Sequence, residues 1–267
     1  SGDDFGNVKL HSPVGFLYEK SLGANVFLIP IIYYYQIMNM LPSILFVHGL
    51  ATSGARTWGE NGWLDLVQDA NRESIVTDLP GHGANYHTAS DMTYEKCYES
   101  VLSSISTPPV DAIGFSLGAR ILLTVASRKP DTFRKLVLSG IGDNLFSIDK
   151  TRYKNIRDGI EGNPNPSNPE SRYFNQLSEA DDINRLAIQE LINSPQLPLA
   201  VDQLREVNCP VLVVIGENDF AAPATKLLDS LPNATYLELK GVDHFATPKN
   251  FTFMETALKF IDAEPQW

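Results

Sequence analysis

Cysteine is nearly absent: Cys97 and Cys209 are the only two in 267 residues, far apart and without the close spacing of a metal site. That excludes a disulfide framework and gives no reason to expect a bound metal. It makes a reducing, cytoplasmic compartment the expectation, with an amino-terminal signal ahead of Ser1-Gly2 left open. Basic residues are scarce too, since 21 Lys and Arg stand against 32 Asp and Glu for a formal net charge of -11. Binding to nucleic acid depends on clustered cations, so no such partner is expected. Long apolar runs are also missing. Val26 to Leu41 is too short to span a bilayer and is interrupted by Pro30, Gln36 and Asn39, so it reads as strand material rather than a membrane span. No internal repeat or low-complexity tract is present. What the chain does have is 43% hydrophobic residues, enough to bury one large α/β core with a small inserted subdomain.

Short runs rich in Val, Ile and Leu recur along the chain. Val14 to Lys20 and Asn25 to Ile37 read as two antiparallel strands joined at Leu22-Gly23. Ile44 to His48, Ser74 to Asp78, Val110 to Phe115, Arg134 to Ile141, Val211 to Gly216 and Thr235 to Lys240 then alternate with helical patterns. Such a rhythm implies a mostly parallel sheet with helices on both faces. Between Gly142 and Asn208 it breaks, because a crossover needs far fewer residues than that interval contains. Here Lys150, Lys154 and Arg157 share one helical face and Tyr153, Ile156 and Ile160 the other. The prolines of Asn163 to Pro169 force a loop, and helical patterns follow over Glu170 to Leu177 and Glu179 to Asn193. Residues 142–208 therefore read as a helical lid, with the core formed by residues 1–141 and 209–267.

The chemistry centres on Gly114-Phe115-Ser116-Leu117-Gly118, a G-x-S-x-G pentapeptide between a strand pattern and the helical pattern Leu117 to Arg128. A strand that turns directly into a helix holds its turning residue in a strained conformation and needs small neighbours. Gly114, Gly118 and Ala119 supply that clearance, and Ser116 becomes the candidate nucleophile. A serine hydroxyl needs a base and a group that orients the base. His244, in Gly-Val-Asp-His-Phe after the last strand pattern, is the candidate base. The acid belongs on the same sheet edge, ahead of the histidine; Asp219 ends Val211-Leu-Val-Val-Ile-Gly-Glu-Asn-Asp219, and Asp143 in Ser-Gly-Ile-Gly-Asp competes with it. A developing oxyanion needs preformed N–H donors. Leu117 supplies one and Leu50, in the turn of Leu45-Phe-Val-His-Gly-Leu50, the other, which leaves His48 a structural role in that turn.

Together, LFVHGL, DLPGHG (Asp78 to Gly83), GFSLG, GEND and GVDHF resemble the α/β-hydrolase superfamily, in the expected order from Leu45 to Phe245. The resemblance implies a mostly parallel, eight-stranded, doubly wound α/β sheet with a lid between the sixth and seventh strands. It also implies Ser116 as nucleophile, Asp219 as acid, His244 as base, and Leu50 and Leu117 as the oxyanion hole. No cofactor is called for, and the expected partner is a small-molecule ester cleaved through an acyl-enzyme. Serine rather than aspartate at the elbow disfavours epoxide-hydrolase and dehalogenase chemistry.

Three other outcomes of the same triad stay open. GFSLGAR is similar to the elbow of the menaquinone-pathway lyases that eliminate pyruvate, where the arginine at the place of Arg120 binds a substrate carboxylate. Ser53 to Trp58 resembles the turn of carbon-carbon bond hydrolases, with Trp58 as a possible substrate contact or a core residue. Some members of the fold are ligand receptors with slow or absent turnover. The sequence does not distinguish a monomer from a dimer.

Overall fold

A computed structural model describes residues 41–87, 91–147, 149–196 and 199–265. The expected strands at Val14 to Ile37 lie outside the described residues, so the count of eight applies to the sequence and six are described. These are β1 (Ile44–Val47), β2 (Ser74–Thr77), β3 (Val110–Phe115), β4 (Phe133–Ser139), β5 (Val211–Gly216) and β6 (Ala234–Leu239). Their order is β2-β1-β3-β4-β5-β6, and every neighbouring pair is parallel. The chain winds outward from β1 to β2, then returns to place β3 on the other side of β1. Loops leaving the carboxyl ends of β1 and β3 therefore diverge, opening the crevice in which sheets of this kind hold ligands.

Burial on both faces explains the apolar runs ILFV in β1 and VLVVIG in β5. Successive residues point to opposite faces. Leu45 and Val47 pack with Ala112, Leu136 and Val213 against α2 (Tyr94–Ser103) and α3 (Leu117–Arg128). Ile44 and Phe46 pack with Ile113, Val137 and Val214 against α1 (Trp63–Asp69) and α9 (Phe251–Phe260). The sheet is thus doubly wound, as expected.

Between β4 and β5 stand α4 (Lys150–Ile160), α5 (Pro169–Ser178), α6 (Arg185–Asn193) and α7 (Val201–Leu204). α8 (Thr225–Ser230) follows β5. The proline-rich loop ends where Asn168 caps α5, its side chain accepting from Ser171 N, with Pro169 in the first turn. The helical pattern expected from Glu179 begins only at Arg185, capped by Asn184. Residues before it are drawn onto the core instead: Gly83 N donates to Asp182 O, Asn184 N to Gly81 O, and Ile183 bridges His82. Ile160, Phe174, Ile183, Ile188 and Ile192 form a separate apolar cluster that includes Ala51 of the core.

The opposite edge of the sheet is fastened by charge. Asp111 is fully buried and accepts from Arg72 Nη2 at 2.6 Å and from Arg134 Nε at 2.9 Å and Nη2 at 2.6 Å. Both arginines also donate to Ile261 O, at 2.9 and 2.8 Å, tying the end of α9 to β3. Removing Asp111 leaves the buried Arg72 charge without its carboxylate. Asp111→Ala is expected to lower the unfolding free energy by about 3–5 kcal/mol, read from urea denaturation.

Candidate active site

Ser116 joins β3 to α3 with φ 54° and ψ -112°, a conformation that a non-glycine residue adopts only under constraint. Its N–H donates to Ser139 O at 2.8 Å, which anchors the turn to β4. The close approach rests on missing side chains. A Cβ on Gly114 would stand 2.8 Å from Ala119 Cα, and one on Gly118 would stand 2.2 Å from Val47 O. Neither backbone can yield without separating β1, β3 and α3.

Three side chains converge at this elbow. His244 Nε2 lies 3.0 Å from Ser116 Oγ, and its Nδ1 lies 2.9 and 3.0 Å from the two Asp219 carboxylate oxygens. With Asp219 accepting at Nδ1, the neutral imidazole carries its proton there, and Nε2 is left to accept from the hydroxyl. Asp219 is 5% exposed and His244 2%, so the hydrogen bonds between them are shielded from bulk water. Ala221 N donates to Asp219 Oδ1 at 2.8 Å and fixes the carboxylate. The sequence's competitor, Asp143, is committed elsewhere, accepting from Leu227 N at 3.1 Å.

A family model described as the alpha/beta hydrolase family matches residues 44–254, and so contains all three converging residues. The chain belongs to the alpha/beta hydrolase family. It is 29% identical over 140 residues to an sn-1-specific diacylglycerol lipase of Mus musculus, a match covering 50% of this chain and 45% of the lipase. The match thus spans less than half of that relative. A 2-hydroxy-6-oxononadienedioate/2-hydroxy-6-oxononatrienedioate hydrolase of Paraburkholderia phymatum is 23% identical over 224 residues, covering 70% of this chain and 77% of the relative. Among solved structures, a carboxylesterase of Bacillus subtilis shares the fold with a TM-score of 0.62 at 15% identity, over 84% of each chain.

In this alpha/beta hydrolase a cavity of about 210 Å³ lies over Ser116 and His244. Leu50, Phe115, Phe174, Leu177 and Phe245 give it an apolar wall, and Thr52, Arg56 and Asn61 a polar one. Leu50 thus lies at the cavity, and Leu117 opens α3, where backbone N–H groups have no acceptor within the helix. Two residues singled out in the sequence lie elsewhere. Trp58 is fully buried, its ring centroid 5.2 Å from Phe46 and 5.4 Å from Trp63, and belongs to the core beneath the sheet. Arg120 is 5.9 Å from the Tyr94 ring and lines a second cavity of about 330 Å³ with Asp143, Arg152 and Phe220. Its guanidinium lies below its ordinary pKa because burial penalises the charge.

Sequence reasoning passed over Phe220 and Phe245, although each directly follows a member of the triad pattern. Phe220 stacks on His244 with centroids 4.0 Å apart, and Phe245 meets it edge-on at 5.4 Å. Tyr173 and Phe174 of α5 reach the same cavity, but an aromatic on an amphipathic helix carries no sequence mark that separates lining from core. Among the described residues there is no group of three or more His, Cys, Asp or Glu able to hold a metal ion, and no helix long and apolar enough to cross a membrane. Burial pushes the Cys97 thiol up to about 12 and the Cys209 thiol up to about 11, which keeps both protonated and unreactive.

His48 and His82 support the turn that carries Leu50. His48 Nδ1 donates to Gly49 O at 2.7 Å, and Nε2 accepts from Leu79 N at 3.0 Å. His82 Nδ1 donates to Pro80 O, while Nε2 accepts from Ala51 N at 3.1 Å and so holds Ala51 at φ 59°. Both rings must be neutral to accept. Burial, with His48 alongside, pushes His82 down to about 3. The unfolded chain takes up this proton near pH 6.5 and the folded chain does not, so the stabilisation is complete above pH 6.5 and is lost as pH falls toward 3. His82 alone is expected to cost about 2–3 kcal/mol of unfolding free energy between pH 6.5 and 4.5. Urea titrations of the wild type and His82→Gln check this: the variant's decline should be flatter by that amount, and equal slopes would remove the linkage.

Proposed function

We propose that the protein is a carboxylesterase-like serine hydrolase that cleaves esters of small to medium size through an acyl-enzyme intermediate. The observation that carries this reading is the unbroken hydrogen-bonded path from Ser116 Oγ through His244 to Asp219, at 3.0 and 2.9 Å. In the proposed cycle, Ser116 Oγ attacks the ester carbonyl while His244 Nε2 takes its proton. The oxyanion of the tetrahedral adduct is received by the N–H groups of Leu50 and Leu117, and Asp219 offsets the positive charge on the imidazolium. His244 returns the proton to the leaving alkoxide. Water gives a proton to His244 Nε2 as it attacks the acyl carbonyl, and the imidazolium then returns that proton to Ser116 Oγ as the acyl–oxygen bond breaks, releasing the acid and the free serine. Residues 142–208 act as the lid, contributing Tyr173, Phe174 and Leu177 to the pocket.

Carbon-carbon bond hydrolysis is the second reading, favoured by the match to the Paraburkholderia phymatum hydrolase. The pyruvate-eliminating lyase reading gains no such support, because Arg120 faces the second cavity rather than the one holding Ser116. A receptor with this triad would label but not cycle. The cysteine pattern keeps the cytoplasm as the proposed compartment.

The decisive measurement is labelling by a fluorophosphonate together with multiple turnover of p-nitrophenyl acetate and butyrate. Ser116→Ala is expected to lose the label and at least about 10³-fold in kcat. Asp219→Asn should lose a large part of kcat while Asp143→Asn keeps nearly all of it. Absence of labelling in the wild type at neutral pH would sink the proposal. A single turnover would assign the receptor role, and faster cleavage of vinylogous diketones than of esters the carbon-carbon reading.

A further inference from the structure

The His244 imidazole is held by more than its two hydrogen bonds. Phe220 lies nearly parallel to it, with centroids 4.0 Å apart at 33°. The guanidinium carbon of Arg152, in α4, stands 3.1 Å from the same Phe220 centroid. Phe220 is therefore packed by both the imidazole and the guanidinium. Arg152 is fixed in turn by Glu170 of α5, whose Oε1 accepts from Nε at 2.9 Å and from Nη2 at 2.5 Å. On the remaining side, Phe115 lies 4.8 Å from the imidazole, and Gly140 leaves room where a Cβ would stand 2.9 Å from His244 Cε1.

We propose that Arg152 is a positioning residue, holding the plane of the His244 imidazole through Phe220, so that residues 142–208 support the proton relay as well as covering the pocket. This rests on His244 acting as the base of the proposed reaction. The hydrogen bond to Asp219 restrains the ring at Nδ1 but leaves it free to tilt about that point. A tilt swings Nε2 away from Ser116 Oγ, and small misplacements of a reacting group are costly in rate. The stack Glu170–Arg152–Phe220–His244 blocks that motion. Guanidinium suits the task because it is planar and can lie flat on a ring while donating in its own plane to Glu170. The Arg152–Glu170 pair is partly exposed, with side chains 24% and 16% accessible, so it adds little to folding. Its loss should therefore appear in the relay rather than in global stability.

The test is a double-mutant cycle of Arg152→Met and Phe220→Leu on the full chain, read by kcat and KM for p-nitrophenyl acetate and by the low-field proton resonance of the His244–Asp219 hydrogen bond. Each single variant is expected to lower kcat about tenfold with KM and melting temperature little changed, and the double variant to lose no more than either. Phe220→Tyr should restore kcat. The resonance should be sharp in the wild type and broadened in both single variants. Unaltered kcat together with an unaltered resonance overturns the proposal, as do multiplicative losses or a rise in KM alone. If the wild type cleaves no ester but the resonance still broadens in the variants, the proposed function falls and the positioning role stands.

Discussion

The approach of α3 to the carboxyl ends of β1 and β3 is the constraint on which the site depends. Gly118 lets the helix touch the carbonyl of Val47, and Gly114 lets the strand meet Ala119. With that contact closed, the chain at Ser116 has no relaxed conformation open to it, and φ is driven to 54°. The strain aims the hydroxyl out of the sheet and leaves Leu117 N at the start of a helix. The same contact brings the β1 turn, with Leu50, beside the elbow. The strain is sustained because the apolar clusters on both faces of the sheet over-determine the positions of strand and helix.

A second layer of constraint is polar and buried. His48 and His82 each donate at one ring nitrogen and accept at the other, joining the β1 turn to the loop after β2. The same loop meets the intervening helices through Gly83 and Asp182. Arg56 extends this seam, pairing with Asp182 at 2.9 Å where it also lines the cavity. The turn that carries Leu50 is therefore braced by two neutral imidazoles and, through Arg56 and Asp182, by the segment between β4 and β5.

How far the sequence announced this depends on the type of constraint. Backbone-driven features were legible because they demand particular residues: small ones at the elbow, a carboxylate in the turn after β5, a histidine after β6. The strands were legible because a doubly covered parallel sheet needs continuous apolar runs. Legibility fails where the fold asks only for bulk. Trp58 follows the oxyanion turn, yet its place is set by Phe46 and Trp63 beneath the sheet. Arg120 is one turn beyond Ser116, but a helix residue at that spacing points into the neighbouring cavity. The helix expected from Glu179 starts late because Ile183 and Asn184 are drawn into contacts with His82 and Gly81, residues about a hundred positions away.

The division of labour along the chain follows from the same distinction. Loops at the ends of β1, β3, β5 and β6 carry Leu50, Ser116, Asp219 and His244, the residues to which the proposed reaction assigns proton exchange and charge, and their positions are fixed by the sheet register. Residues between β4 and β5 contribute Tyr173, Phe174 and Leu177, whose requirement is shape, and such positions accept many apolar side chains of similar volume. Pocket form can therefore change while the relay is kept. The stack of Arg152 on Phe220 and His244 sets a limit to that freedom. A segment that presses a cation against the ring packed on His244, the base of the proposed reaction, cannot be reshaped at that point without altering how the imidazole is held.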